Sequence, residues 1–513
     1  HDNDAPVFNA FTIGSAGNEN NFDGTIGTYI YLDGQTGPTA APVTTMAPWA
    51  VNLDAQNNTF GGASPAAMTL TQLFAVEDRI VHKIDNNVLG FVLVKANNDY
   101  VTVNSFVAPA TTQASIQRGI DAASSGFTVN VAEGTYDEIN VNINKPLILL
   151  GAQADVACGS RGAESIIQDL TTSSLPIFSV NSDDVTINGF EVIDPWANSG
   201  IDAGATGPSN LNIKFNNIHN IGTLRGSGNV YAVRYLVGSS TTSNVNISDN
   251  CIDNISNTTT ALGHSGGIWF GQSTSNGTVN NLIVERNTIS NVKSALSNKA
   301  TWGIVIGTGS GAGTGSVVNP VISSNSITNL IGGSSAHAIG LEGNTPGAMV
   351  SNNFIDNITS TFNPAAAEGV DISSNSGSST VGIHDNSFTN VSYGIGNSTG
   401  NIVNATCNWY GSSNANVVMT KIYGLVTYSP YLIDGTDNAP SSIGFQPVAL
   451  ACAGSPVEIT SLVATDQTCV VTGTITVNFS GGTTPYKIDW TGGTQVTGII
   501  GSPYVINGLA AGN

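Results

Sequence analysis

The sequence predicts an all-β protein built around a parallel β-helix. Three observations predict it. A twelve-residue frame recurs six times, in NLNIKFNNIHNI (210–221), NVNISDNCIDNI (244–255), NLIVERNTISNV (281–292), NPVISSNSITNL (319–330), GAMVSNNFIDNI (347–358) and TVGIHDNSFTNV (380–391). A second motif lies between the copies, in YAVRYLV (231–237), GIWFG (267–271), GIVIG (303–307), AIGLEG (338–343), GVDISS (369–374) and YGIGNS (393–398). Both alternate apolar and polar residues, the period of a short strand, and neither shows a 3.6-residue period. Finally, only 10% of residues are charged while Gly numbers 59 and Asn is about as frequent. Lys and Glu, the usual filling of exposed helix faces, are scarce.

From the N-terminus, residues 1–109 show no repeat. YIYL, FVLV and YVTV read as strands and MTLTQLFAVEDRIVHKI as a helix of about four turns, so this segment is expected to be a β-rich cap or accessory domain. In ASIQRGIDAASSG, Ile116, Ile120 and Ala123 fall at helical spacing. A short amphipathic helix ending at Gly126 would cover the open end of a coil stack, which otherwise offers bare strand edges. Alternating strands follow in FTVNV, INVNI and LILLGA.

The repeated frame then sets the coils, within a β-helix expected over 110–450. Its first Asn falls at Asn216, Asn250, Asn287, Asn325, Asn353 and Asn386, with intervals of 34, 37, 38, 28 and 33 residues. A constant core with an uneven period describes one unit with loops of variable length. Stacked coils place equivalent turn residues above one another, about 4.8 Å apart. These six Asn are the expected structural ladder, each tolerating a left-handed backbone and bonding to its copy. Ile218, Ile252, Ile289, Ile327, Ile355 and Phe388 should point inward.

Two resemblances enter here. SIQRGIDAASSGFTVNVAEGTYDEINVNINKPLILLGA resembles the opening of secreted right-handed β-helix proteins of the pectate-lyase-like superfamily. CNWYGSS (407–413), VTYSPYLIDGTD (426–437) and GFQPV (444–448) look like the closing segment of β-helices in Bacteroidota surface proteins. This implies a right-handed β-helix, and is silent about activity, because the superfamily holds lyases, hydrolases, adhesins and inert fibres alike. GTITVNFSGGTTPYKIDWTGG (473–493) and INGLAAGN (506–513) resemble the SprB-type repeat of gliding adhesins, an immunoglobulin-like sandwich; Thr484, Pro485, Tyr486 and Trp490 carry the match. Such a sandwich takes about 7 strands and about 100 residues, and 456–513 is shorter. The expectation is a partial module belonging to a longer multi-module protein, one that the resemblance links to gliding motility and type IX secretion.

Of five cysteines one is left over. Cys407 and Cys452 flank the closing segment and are the first candidate pair; Cys158 and Cys251 are the second, if the loop around ADVACGSRG reaches down the side of the stack. In SprB-like modules an early Cys pairs with one after the last strand. The resemblance puts Cys469 at that early position.

Composition and motif content bound the function. A net charge of −21, from 14 Lys+Arg against 35 Asp+Glu, excludes a nucleic-acid partner, and no apolar run can span a membrane. Low charge and many Asn-x-Ser/Thr triplets fit an extracellular or cell-surface protein exported through a cleaved signal peptide. The Asn-Thr-Asp, Asp-Asp, His-Gly and Arg-Ile-Lys set of polygalacturonase-like hydrolases is not present together, and a lyase's basic residue beside carboxylates is not apparent. Glu342, Glu368 and Asp371 lie on or next to the second motif, where they would form a carboxylate line suited to a hydrolase or a calcium site. Trp269 and Trp302 take equivalent places in neighbouring second strands, where they would line a sugar-binding face. No cofactor is required. Calcium is the ion such a surface would take, with oxygen-rich turns at Asp2 and Asp4, at Glu19 and Asp23, and at Asp434 and Asp437. The reading is a non-enzymatic adhesin or filament-forming stalk, with neighbouring copies, other surface proteins or surface glycans as partners. The alternative is a secreted polysaccharide lyase or glycoside hydrolase using the carboxylate face.

Overall fold

The computed structural model describes residues 11–25, 27–32, 50–203, 207–257, 263–272, 277–294, 296–308, 315–373, 380–448, 452, 457–466, 472–480, 485–491 and 493–509. The chain winds into a right-handed parallel β-helix whose strands stack into three long sheets of nine, ten and thirteen strands. We call them the side, front and back sheets. Each coil passes from back to side to front. In one coil these strands are Leu211–Lys214, Asn217–His219 and Val230–Val237. Every pairing between coils is parallel, so the strands are buried on one face by the stack's own lumen. One continuous apolar core fills that lumen, with Ile218, Ile252, Ile289, Ile327, Ile355 and Phe388 among its fully buried members.

The ladder stands at the corner between back and side sheets. All six Asn are 0% exposed. Each donates its Nδ2 to the Oδ1 of the next, at 2.9–3.1 Å, and the column runs on to Asn408 of the closing segment. Each Nδ2 also reaches a backbone carbonyl of the preceding coil, as Asn287 does with Ile247. The left-handed backbone falls one residue earlier than expected, on Phe215, Asp249, Arg286, Ser324, Asn352 and Asp385. That residue turns the chain and leaves the following amide side chain free to enter the core. The second Asn of the frame (Asn220, Asn254, Asn291, Asn329, Asn357, Asn390) does take positive φ, at the outer corner.

Two sequence expectations change near the N-terminus. The helix spans only Leu70–Glu77, capped by Thr69 and Gln72 in a reciprocal capping box, and Ile80–Val81 is already a strand. The strands of this region are two residues long yet pair in parallel at intervals like those of the coils: Phe11 with Leu53, Leu53 with Val92, Asn21 with Thr59, Ile30 with Ile80. They enclose a small core of their own. Asn98–Val101 then joins the back sheet beside Thr128–Val131. The helix Ile116–Ala122 lies on this end, with Ile116 and Ile120 buried in the lumen.

The C-terminal residues are antiparallel throughout. Glu458–Thr465, Gly473–Ser480 and Tyr504–Leu509 form one sheet and Tyr486–Ile488 with Val496–Ile499 another, around Val477, Phe479, Ile499 and Ile506. These are the layers of a partial immunoglobulin-like sandwich. Thr484 and Cys469 lie outside the described residues. No described helix is long and apolar enough to cross a membrane.

Candidate functional site on the front sheet

Both candidate cysteine pairs are bridged, Cys158 to Cys251 and Cys407 to Cys452, bonds that persist in oxidising compartments. The first ends a strap. Residues 152–164 leave the back sheet as a long corner loop, where Lys214 meets Asp155 at 2.8 Å and the Arg161 guanidinium donates to the carbonyl of Phe215.

The outward face of the front sheet is where polar and aromatic side chains converge. Its register sets three outward columns. The first reads Tyr231, Gly266, Trp302, His337, Glu368 and Tyr393; the second Asp202, Arg234, Trp269, Val305, Gly340, Asp371 and Gly396; the third Leu236, Gly271, Gly307 and Glu342. Between the first two columns each strand carries an extra, inward-packed small residue: Ala232, Gly267, Gly303, Ala338 and Gly369. A Cβ at Gly267 or Gly303 would meet the next coil's carbonyl oxygen at 2.6 Å. This extra residue shifts the alternation. As a result Trp269 and Trp302 do not stack in one column: Trp269 stands beside Val305, and Trp302 beside Gly266. Trp269 instead stacks on Tyr231, centroids 5.1 Å apart, and Trp302 packs against His264.

The early coils of this face hold a cleft of about 230 Å³ lined by Asn198, Arg225, Asn229, Tyr231, Arg234 and Trp269. Arg234 pairs with Asp202 at 3.0 Å and lies over the Trp269 ring. Arg225 is held by the carbonyls of Ser227 and Ser174. Two guanidiniums and a stacked aromatic pair in one cleft stand out on a chain with so few cations. Aromatic faces with a few fixed polar groups are the usual lining of a small-ligand site.

The later coils gather the carboxylates. His337, Glu342 and Asp371 bring their donor atoms within 4.8 Å of one another. His337 Nδ1 lies 3.5 Å from Glu368 Oε2. The Trp302 indole N–H donates to Glu342 Oε1. Glycines make the room. Gly340 sits between His337 and Glu342 on their strand and beside Asp371 in the next, so the donors surround a position with no side chain. On the other flank of Asp371, a Cβ at Gly396 would fall 2.3 Å from Glu368 Oε2. Burial pushes the Asp371 carboxyl up to about 7, with His337 opposing and Glu368 and Glu342 reinforcing. Burial likewise raises Glu342, against His337 and the Trp302 donor. Burial alone would discharge the His337 imidazole, but Glu368, Asp371 and Glu342 outweigh it and lift it to about 9. So the structure brings Glu342, Glu368 and Asp371 together, and adds His337, which no sequence motif singles out.

Elsewhere the acidic residues serve local structure. Asp434 accepts from the Thr436 N–H and hydroxyl, and Asp437 from the Ala439 and Gln446 N–H groups. Glu19 and Asp23 likewise accept from nearby backbone N–H groups. Asp2 and Asp4 lie outside the described residues. Glu77, His82 and Asp85 form a second buried group. There His82 uses both ring nitrogens, accepting from the Val92 N–H and facing Glu77 at 2.7 Å, as a neutral core histidine does. Burial holds its pKa down to about 4. Comparison of the chain with family models, curated proteins and solved structures returned no match.

Proposed function

We propose that this chain is an extracellular surface protein that recognises glycans, with the β-helix as a stiff scaffold and the front face as its binding surface. The cleft carries this reading. It combines the Tyr231–Trp269 stack with Arg225 and Arg234 on a surface of net charge −21. The disulfides and the resemblance to adhesin repeats support the location. A glycan array probed with the full chain should show selective binding, and Trp269→Ala should weaken the best hit by at least about tenfold, the loss of a 1.4 kcal/mol contact. The variant should remain folded, shown by an unchanged far-UV spectrum, so the loss reads as binding. An array without hits, or hits indifferent to Trp269, would sink the proposal.

A second reading is a glycoside hydrolase. The observation favouring it is a close carboxyl pair, Asp371 and Glu342, whose oxygens lie within 4.8 Å of each other and whose burial favours the protonated acid. Release of reducing ends from an array hit, lost in Asp371→Asn, would establish it in place of simple binding.

A further inference from the structure

We infer that His337, Glu342 and Asp371 form a divalent-cation site on the front face, with two carboxylates and one imidazole as ligands and Glu368 beside the imidazole. The inference is independent of glycan binding.

An acidic group alone would not carry it, since exposed carboxylates cluster without ions. Here Glu342 and Asp371 are half-buried and their neighbours are enclosed. His337 is 9% exposed and Glu368 8%. His337 Nδ1 and Glu368 Oε2 face each other at 3.5 Å, and neither makes a hydrogen bond. They form a loose ion pair rather than a hydrogen bond, and because buried polar atoms are nearly always bonded, this leaves a place for a further partner. The backbone is cut to fit. Gly307, Gly340 and Gly396 remove the side chains that would stand against Glu342, among the donors and against Glu368; at Gly307 a Cβ would come within 2.7 Å of Glu342 Cβ. The charges are unbalanced: three carboxyls face one imidazole, and no Lys or Arg ion-pairs with them among the described residues. One divalent ion would correct this imbalance.

The ligand set names the class. Calcium prefers six to eight oxygens, whereas an imidazole among carboxylates suits manganese, zinc or iron(II). The Trp302 N–H on Glu342 is an outer contact of the kind that orients a ligating carboxylate.

The test uses the full chain after EDTA treatment and dialysis, titrated calorimetrically with Mn²⁺, Zn²⁺, Ca²⁺ or Mg²⁺ alone. Mn²⁺ or Zn²⁺ should bind at one site per chain. Proton release should appear as a dependence of the heat on the buffer's ionisation enthalpy, and affinity should rise from pH 6 to pH 8. Asp371→Asn should weaken binding by more than the roughly 10–100-fold that loss of an outer partner costs, and His337→Asn should do the same. Metal-free unfolding curves give the folding control, since Asp371→Asn removes a repelling charge and should fold at least as well as the parent. No binding, or binding unchanged in a folded Asp371→Asn chain, would overturn the site. Calcium binding that ignores His337→Asn would overturn the imidazole ligand and the metal class.

Discussion

The ladder corner and the front face are built from the same coils, and they treat buried polar groups in opposite ways. At the corner every coil from Asn216 to Asn408 contributes the same residue. Each Asn amide is satisfied by its copy, so the cost of burying it is cancelled at each step. On the front face the register changes identity from coil to coil: Trp302, then His337, then Glu368 in one column. Nothing there repeats, and the polar atoms are left partly unpaired. In a repeat protein, polar residues that recur maintain the fold, while a buried polar group that appears once needs another explanation.

The largest expected effect breaks the corner. Asn287→Leu removes an amide whose oxygen accepts from the Asn250 N–H and Nδ2, and whose nitrogen serves Asn325 and two carbonyls. Orphaning several buried groups should cost about 3 kcal/mol or more, read as a lower urea midpoint. A cost under about 1 kcal/mol would mean the column is not a support. A smaller loss, about 2–4 kcal/mol, should follow from Cys158→Ser, because the strap is then held by non-covalent contacts alone, such as Asp155 with Lys214 and Asn188. Retained stability would show that the ladder holds those coils unaided.

The front face should respond to pH with the opposite sign. Asp371 has its folded pKa raised from 3.8 to about 7. Its contribution is complete below about pH 4 and disappears as pH rises through 7. Metal-free Asp371→Asn should therefore match the parent near pH 4 and exceed it above pH 7, by on the order of 1–3 kcal/mol. His337, raised from 6.5 to about 9, stabilises below about pH 6.5 and loses that contribution as pH climbs through 9. An Asp371→Asn chain weaker than its parent at pH 8 would make the carboxylate structural, like the ladder.

These two regions were also unequally legible in the sequence. The corner announces itself because its frame is copied six times and Asn has few other reasons to recur beside inward Ile. The front columns depend on one extra small residue per strand, such as Gly303 or Ala338, which alternation counting cannot detect. Alternation alone therefore aligns Trp269 with Trp302 and passes over His337, although it places Glu342, Glu368 and Asp371 on the right strands. Near the N-terminus, two-residue strands such as Leu53–Asp54 are too short to show any period, so their parallel pairing was invisible. The left-handed turn was misplaced by one residue because Phe215 and Arg286 are not residues that advertise it.

The strap has a mechanical meaning. A stack of parallel coils under tension yields by peeling, one turn after another from the pulled end. Here a pull on the N-terminal end can unravel the chain only as far as Cys158. The load then crosses to Cys251, 93 positions further along the chain, so the coils between them are off its path. A rod fastened in this way can yield further only by lifting the coil that holds Cys251.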